Sequence, residues 1–226
     1  MNTTIGSLPT LADSLASTFP SCDEAPLALA LLDELAKGDP VGPAALATRA
    51  RRSEGEVTDV VARWPNVHFD DKGRVIAFSG LSLAPTPHRF EVAGRQLYTW
   101  CAWDTLFLPA LLAQPASVAS TCPVTGTEVR LSVGPAGVQS AEPASVRVSF
   151  PAPASTVNSD ITATFCCHVH FLADQDAAAQ WLSGNDGALT LSLEDAVELG
   201  RLATRSLLLD GRKSAPSPHQ TGERAC

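Results

Sequence analysis

The spacing of apolar residues changes its period near residue 66, and this change constrains the fold more than any other feature of the chain. In "APLALALLDELAKGDP" Leu27, Leu31, Leu32 and Leu35 recur at helical spacing, and Gly38 and Pro40 follow as stop signals. "GPAALATRARR" predicts a short helix with Pro43 in its first turn. "SEGEVTDVVARW" opens with Ser53 and Glu56 in capping-box spacing ahead of Val57, Val60 and Val61. In "NVHFDDKGRVIAFSGLSL" two extended runs instead flank an Asp71-Lys72-Gly73 turn, where glycine takes positive φ at no steric cost. Three short helices followed by a β-wing is the order of a winged helix.

The second half keeps the extended character. "HRFEVAGRQLYTW" alternates as a strand or hairpin, and "CAWDTLFLPALLA" reads as a compact apolar helix. The runs "SVAST", "EVRLSV", "GVQSAE", "SVRVSF" and "TATFCCHVHF", separated by Pro and Gly, predict an antiparallel sheet. "DQDAAAQWLSG" and "SLEDAVELGRLATRSLLL" add two helices, the second opening at Ser192 with Leu199, Leu202 and Leu207 on its apolar side. The expected fold is α+β. A flexible arm with at most one short helix spans 1–25, and a three-helix winged-helix-like domain spans 26–84. A domain of antiparallel β-sheet with flanking helices spans 85–210 and carries the site, and a flexible polar tail spans 211–226.

Apolar residues make up 45% of the 226 residues, enough for a globular core, while 24 acidic against 16 basic residues leave a net charge of −8. That balance opposes a broad phosphate-binding surface, so no nucleic acid partner is expected. Arg49, Arg51 and Arg52 stand where a recognition element would begin, but Glu54, Glu56, Asp59, Asp70 and Asp71 share the segment. The start lacks the pattern of a secretory signal, and no run of about 18 apolar residues predicts a membrane span. A cytoplasmic location is expected. Six irregularly spaced cysteines, Cys22, Cys101, Cys122, Cys166, Cys167 and Cys226, then remain mostly thiols.

Two stretches can carry chemistry. In "TWCAWD" a helix with Thr99 as its N-cap would put Cys101 in the first turn, where the helix dipole favours a thiolate, with Asp104 on the same face. In "TFCCHVHF" alternation predicts a strand. Cys166, His168 and His170 would then share one face, and Cys167, Val169 and Phe171 the other. Cys166 is expected to look into a polar site and Cys167 to pack in the core; a disulfide between the two would strain the backbone. Zinc held by Cys101, Cys166, His168 and His170 is a competing reading, opposed by the lack of paired Cys-x2-4-Cys knuckles. The chain has the ingredients of a thiol–histidine dyad but no Cys-x-x-Cys redox motif. Cys122 in "STCPVTG" sits at a turn and is expected to be structural. Tyr98, Trp100, Trp103 and Phe107 surround Cys101 as core or as an apolar pocket wall. His68 and His88 stand alone and are expected to be structural or surface groups. The residues by themselves stop at a reactive thiol–carboxylate site.

Six stretches, "LLDELAKGDPV", "FDDKGRVIAFSGLSL", "LYTWCAWDTLFLPALL", "STCPVTG", "EPASVRVSF" and "TFCCHVHFLA", together resemble the organomercurial (alkylmercury) lyase family of bacterial mercury resistance. The resemblance implies an enzyme that breaks the carbon–mercury bond by protonolysis, releasing a hydrocarbon and Hg(II). It assigns catalysis to Cys101, Asp104 and Cys166, with mercury bound there only as substrate and product. It makes Cys122 structural and Cys167 dispensable for chemistry. No cofactor is implied. Organomercurials are the substrates and cellular thiols the co-reactants, with a mercuric reductase as a candidate acceptor of Hg(II). A soft cation prefers thiolates, and a carbanionic leaving group needs a proton as its bond breaks, so two thiols beside a carboxyl suit this chemistry. The reading from another class is a winged-helix regulator or carrier that holds mercury or zinc on the same thiols without turnover.

Overall fold

A computed structural model describes residues 8–152 and 160–210. Four helices come first: α1 (Leu8–Ala16), α2 (Ala25–Leu35), α3 (Pro43–Ala50) and α4 (Glu54–Val61). The predicted signals operate as read. Leu27, Leu31, Leu32 and Leu35 of α2 are all buried, and the chain turns away at Gly38 with φ 91°. At α4 the Ser53 amide donates to Glu56 Oε2 (2.9 Å) and the Glu56 amide to Ser53 Oγ (3.3 Å), a complete capping box. The arm expected over 1–25 holds its one short helix, α1, whose Leu11, Ala12 and Leu15 are buried against a C-terminal helix. That helix supplies the apolar partner that local periodicity could not reveal. Residues 1–7 and the expected tail, 211–226, lie outside the described residues.

The strands β1 (Val67–Phe69), β2 (Val75–Phe78), β3 (Leu81–Ser82), β4 (His88–Val92) and β5 (Arg95–Thr99) precede a central helix, α5 (Asp104–Leu112). The turn before β2 is built on Asp70, whose Oδ1 accepts the amides of Lys72 (3.0 Å) and Arg74 (2.8 Å), with Gly73 at φ 71°. Strands β6 (Ala116–Thr121), β7 (Glu128–Gly134) and β8 (Gly137–Glu142) follow. They complete an eight-stranded sheet in the order β1-β2-β3-β5-β4-β6-β7-β8, antiparallel at every pairing. Alternation is visible in β4, where His88, Phe90 and Val92 are buried and Arg89 and Glu91 exposed. Because β3 pairs with β5, the expected domain boundary at residue 84 falls within a continuous sheet, and one core cluster joins the α2 leucines to Phe90, Val118 and Leu131.

The remaining elements are β9 (Arg147–Phe150), α6 (Ile161–Thr164), β10 (Phe171–Leu172), α7 (Gln175–Ser183), β11 (Leu189–Leu191), α8 (Leu193–Ala203) and α9 (Arg205–Asp210). Strands β10, β9 and β11 form a second small antiparallel sheet. The expected strand over "TFCCHVHF" is present only at its end. Residues 161–164 are helical, and Cys166–His168 form a 3-10 turn. Asp160 starts this helix by accepting the Ala163 amide on Oδ1 (3.1 Å), a local signal that outweighs the alternating pattern.

Helix α5 is buried nearly all round, as a helix inside a core must be. Its approach to α8 is fixed at two points. The Trp103 indole N–H donates to the Ala196 carbonyl (3.0 Å), and Gly200 lies so close to Phe107 that an added Cβ would sit 2.8 Å from the Phe107 Cβ. Gly200→Ala should therefore lower stability by roughly 1–2 kcal/mol, because overpacking outweighs the gain in helix propensity. Chemical denaturation of the purified variant checks this, and a more stable variant would contradict the close packing.

Candidate active site

The loop between β5 and α5 brings Cys101 and Asp104 together. Helix α5 begins at Asp104, four residues later than a Thr99 cap would place it, and Thr99 is the last residue of β5. Its hydroxyl donates instead to the Cys101 carbonyl (2.8 Å), while the Cys101 amide donates to Asp104 Oδ2 (2.9 Å). Three neighbours pin the loop from outside. The Trp100 amide donates to the Gly80 carbonyl (2.9 Å), the Ala102 amide to the Val169 carbonyl (3.2 Å), and the Thr105 hydroxyl to the Ala102 carbonyl (2.7 Å).

Cys166 arrives from the 3-10 turn after α6. The Ile161 amide donates to Asn66 Oδ1 (3.3 Å), which ties the start of α6 to the segment before β1. A tight turn, rather than a pleat, separates the adjacent thiols: Cys166 is buried and Cys167 exposed. Cys167 thus faces solvent and not the core, because helical geometry directs its Sγ to the Ala163 carbonyl (2.9 Å). Cys101, Asp104 and Cys166 each offer a ligand atom, all within 4.8 Å of one another. The histidines expected to share a face with Cys166 do not join them. His168 is exposed, and the His170 ring lies among His88 and Trp181, with centroid separations of 6.5 Å to each.

Burial governs the electrostatics of the cluster. It raises the Asp104 carboxyl to about 7, against the opposing pull of hydrogen bonds from Cys101. It also pushes the Cys101 thiol well above the ordinary range, helped by the hydrogen bond to Cys166 and the nearby carboxylate. This reverses the expectation of a helix-activated thiolate, since Cys101 precedes the helix and is fully enclosed. For Cys166, the hydrogen bond from Cys101 pulls the thiol down, but burial and the Asp104 charge outweigh it and the net direction is upward. The resting site therefore holds two neutral thiols beside a carboxyl poised to take up or release a proton near neutrality.

A cavity of about 20 Å³ adjoins Asp104 and Cys166, with Trp100, Trp103, Phe107, Phe19 and Phe165 in its wall. Tyr98, expected in this wall, does not line it. The chain leaves β5 after Thr99, so the bend that delivers Trp100 leaves Tyr98 in the strand beside Arg89. Sequence reasoning missed Phe19, Asn66, Ser79 and Gly80, which come from distant parts of the chain. Gly80 lay within a quoted matching stretch, but no local pattern marked it. His68 stacks on Trp100 with ring centroids 5.2 Å apart. Away from the site, Cys122 is buried with Leu172, Ala173, Ala177 and Ala178, in keeping with a structural role. His88 is buried with Nδ1 2.8 Å from Ser120 Oγ, its pKa pushed down to about 4 by burial and by His170. Cys101, Cys122, Cys166 and Cys167 are free thiols; Cys22 is not among them.

Comparison with known proteins places this geometry in context. Residues 81–204 match the family profile described as alkylmercury lyase, and residues 8–79 the one described as helix-turn-helix domain of alkylmercury lyase. An alkylmercury lyase of Streptomyces lividans is 46% identical over 178 residues, covering 79% of this chain and 81% of that protein. One of Pseudomonas putida is 41% identical over 204 residues, covering 90% and 95%. The crystal structure of the mercury-bound form of MerB2 superposes with a TM-score of 0.70 at 22% identity, over 88% of this chain and 98% of that one, and so shares the fold. With its sequence matched along most of its length and its two thiols and carboxyl gathered at one buried point, the chain belongs to the alkylmercury lyase family.

Proposed function

We propose that the protein cleaves the carbon–mercury bond of alkyl- and arylmercury compounds by protonolysis, with Cys101 and Cys166 as mercury ligands and Asp104 as the proton carrier. The convergence of two neutral thiols and a near-neutral carboxyl within 4.8 Å carries this reading. Cys166 lines the cavity while Cys101 lies fully buried behind it, so Cys166 meets the substrate first. It displaces the thiolate that accompanies R–Hg, and its own proton leaves with that thiol. Cys101 then adds to mercury and passes its proton to Asp104. A second thiolate pushes electron density toward carbon, and Asp104 protonates that carbon as the C–Hg pair becomes the new C–H bond. The hydrocarbon departs and mercury stays as Hg(II), with no change of oxidation state. Two external thiols then carry it away and reprotonate the cysteines.

No resident metal or organic cofactor enters this scheme. Cellular thiols are co-reactants, and a mercuric reductase is a fitting acceptor for Hg(II). The proposed location is cytoplasmic, where such thiols are abundant; among the described residues no helix is long and apolar enough to cross a membrane. We assign the winged-helix-like arrangement of α2, α3, α4 and the following hairpin to closing the site, not to reading DNA. Arg49 is already paired with Asp33 (3.0 Å) and Glu34 (3.8 Å), and the net charge is −8.

Phenylmercury supplied with excess thiol should yield benzene, detected by gas chromatography. Uptake of mercury without benzene would identify a carrier. Cys101→Ser and Cys166→Ser should each reduce turnover at least about a hundredfold, while Cys167→Ser stays within about twofold of the parent, since only the first two contact the metal. Asp104 also makes folding pH-dependent. Its folded pKa of about 7 stands above the unfolded value of 3.8, so its contribution is fully present below pH 3.8 and is lost as pH rises toward 7. Asp104→Asn should flatten that decline, worth on the order of a few kcal/mol, in urea titrations across this range. An unchanged pH profile would show that the carboxyl titrates normally.

A further inference from the structure

Gly80 occupies the turn between β2 and β3 at φ 92°, directly after Ser79 at φ 47°. Two contacts join it to the catalytic loop. Its carbonyl accepts the Trp100 amide (2.9 Å), and its missing side chain leaves the space that Asp104 fills. A Cβ at this position would meet Asp104 Cγ at 2.5 Å, Oδ1 at 2.7 Å and Cβ at 2.8 Å, all far inside ordinary contact. On its other side Asp104 is held by the Cys101 amide on Oδ2 (2.9 Å). The carboxyl is therefore clasped between a hydrogen bond and a bare α-carbon. Positive φ alone does not account for this glycine's surroundings. Gly73, in the preceding turn between β1 and β2 at φ 71°, has nothing within 4 Å of the place where its Cβ would be.

We propose that Gly80 is a positioning residue for the reaction: its bare α-carbon and its carbonyl together set where the Asp104 carboxyl stands relative to Cys101 and Cys166. Gly80 is the single residue between the two matched segments, 8–79 and 81–204, and it lines the cavity together with Phe19, Asn66 and Ser79 of the first. The proposal rests on the reading of Asp104 as proton carrier. An alanine here must move the carboxyl or the turn by on the order of 1 Å, a misplacement that costs about a hundredfold in rate when reacting groups are involved.

The test uses the full chain with phenylmercury and excess thiol. Gly80→Ala should lower kcat about a hundredfold. Its capture of Hg(II), read from ultraviolet absorption of mercury–thiolate bonds, should stay stoichiometric. Gly73→Ala carries the same kind of backbone strain without the contact, and should keep the parent's kcat. In an Asp104→Ala background, Gly80→Ala should add no further loss of rate and should lower the melting temperature less than it does in the parent. A Gly80→Ala kcat equal to that of Gly73→Ala, or an undiminished effect in the Asp104→Ala background, would overturn the proposal. If Gly80→Ala alone does not fold, recovery of folding in the Gly80→Ala, Asp104→Ala pair supports the contact and its failure refutes it. Normal turnover by Asp104→Ala would instead sink the acid reading, and the melting-temperature cycle would still report on the contact.

Discussion

The hydrogen bond from the Cys101 amide to the Asp104 carboxyl, made inside a sealed core, is the interaction on which the site depends. A buried carboxyl is costly unless it is neutralised or satisfied. None of the ion pairs among the described residues includes Asp104. One backbone amide and the Cys101 thiol thus partly offset burial, and the remainder appears as a proton affinity shifted toward neutrality. The same enclosure keeps both thiols protonated, which suits ligands that exchange a proton for mercury and spares them oxidation while idle.

Such a site requires rigid walls from several directions. Helix α5 is held by α8 through Trp103 and Gly200, so the first residue of α5, Asp104, cannot drift. The segment bearing Cys166 is anchored through Asn66, and the loop bearing Cys101 through Gly80 and Val169. One of those anchors, Asn66, belongs to the segment matched as helix-turn-helix, and another, Gly80, directly follows it. That segment therefore continues the sheet of the lyase part and supplies part of its pocket.

Much of this was legible from local patterns, and the failures share a cause. The α2 leucines, the Ser53–Glu56 box and the Asp71-Lys72-Gly73 turn are encoded within a few residues, and each forms as read. "TFCCHVHF" misled because alternation at a few positions is compatible with a turn when an upstream residue, Asp160, caps a helix. The separation of Cys166 from Cys167 survived, but by a tight turn that leaves Cys167 in solvent. Thr99 likewise has the chemistry of a cap, yet strand pairing with Leu81 and His88 claims it for β5.

The sequence by itself held the candidate groups, Cys101, Asp104 and Cys166, and six stretches whose resemblance pointed to the alkylmercury lyase family, since both are properties of the chain order. Tertiary structure alone decided that Cys166 comes within reach of Cys101 and Asp104, that burial raises both thiols and the acid, and that Gly80 and Asn66 line the same cavity. Each of those outcomes depends on which surfaces meet and how much water they exclude, quantities that arise only when residues distant in sequence pack together.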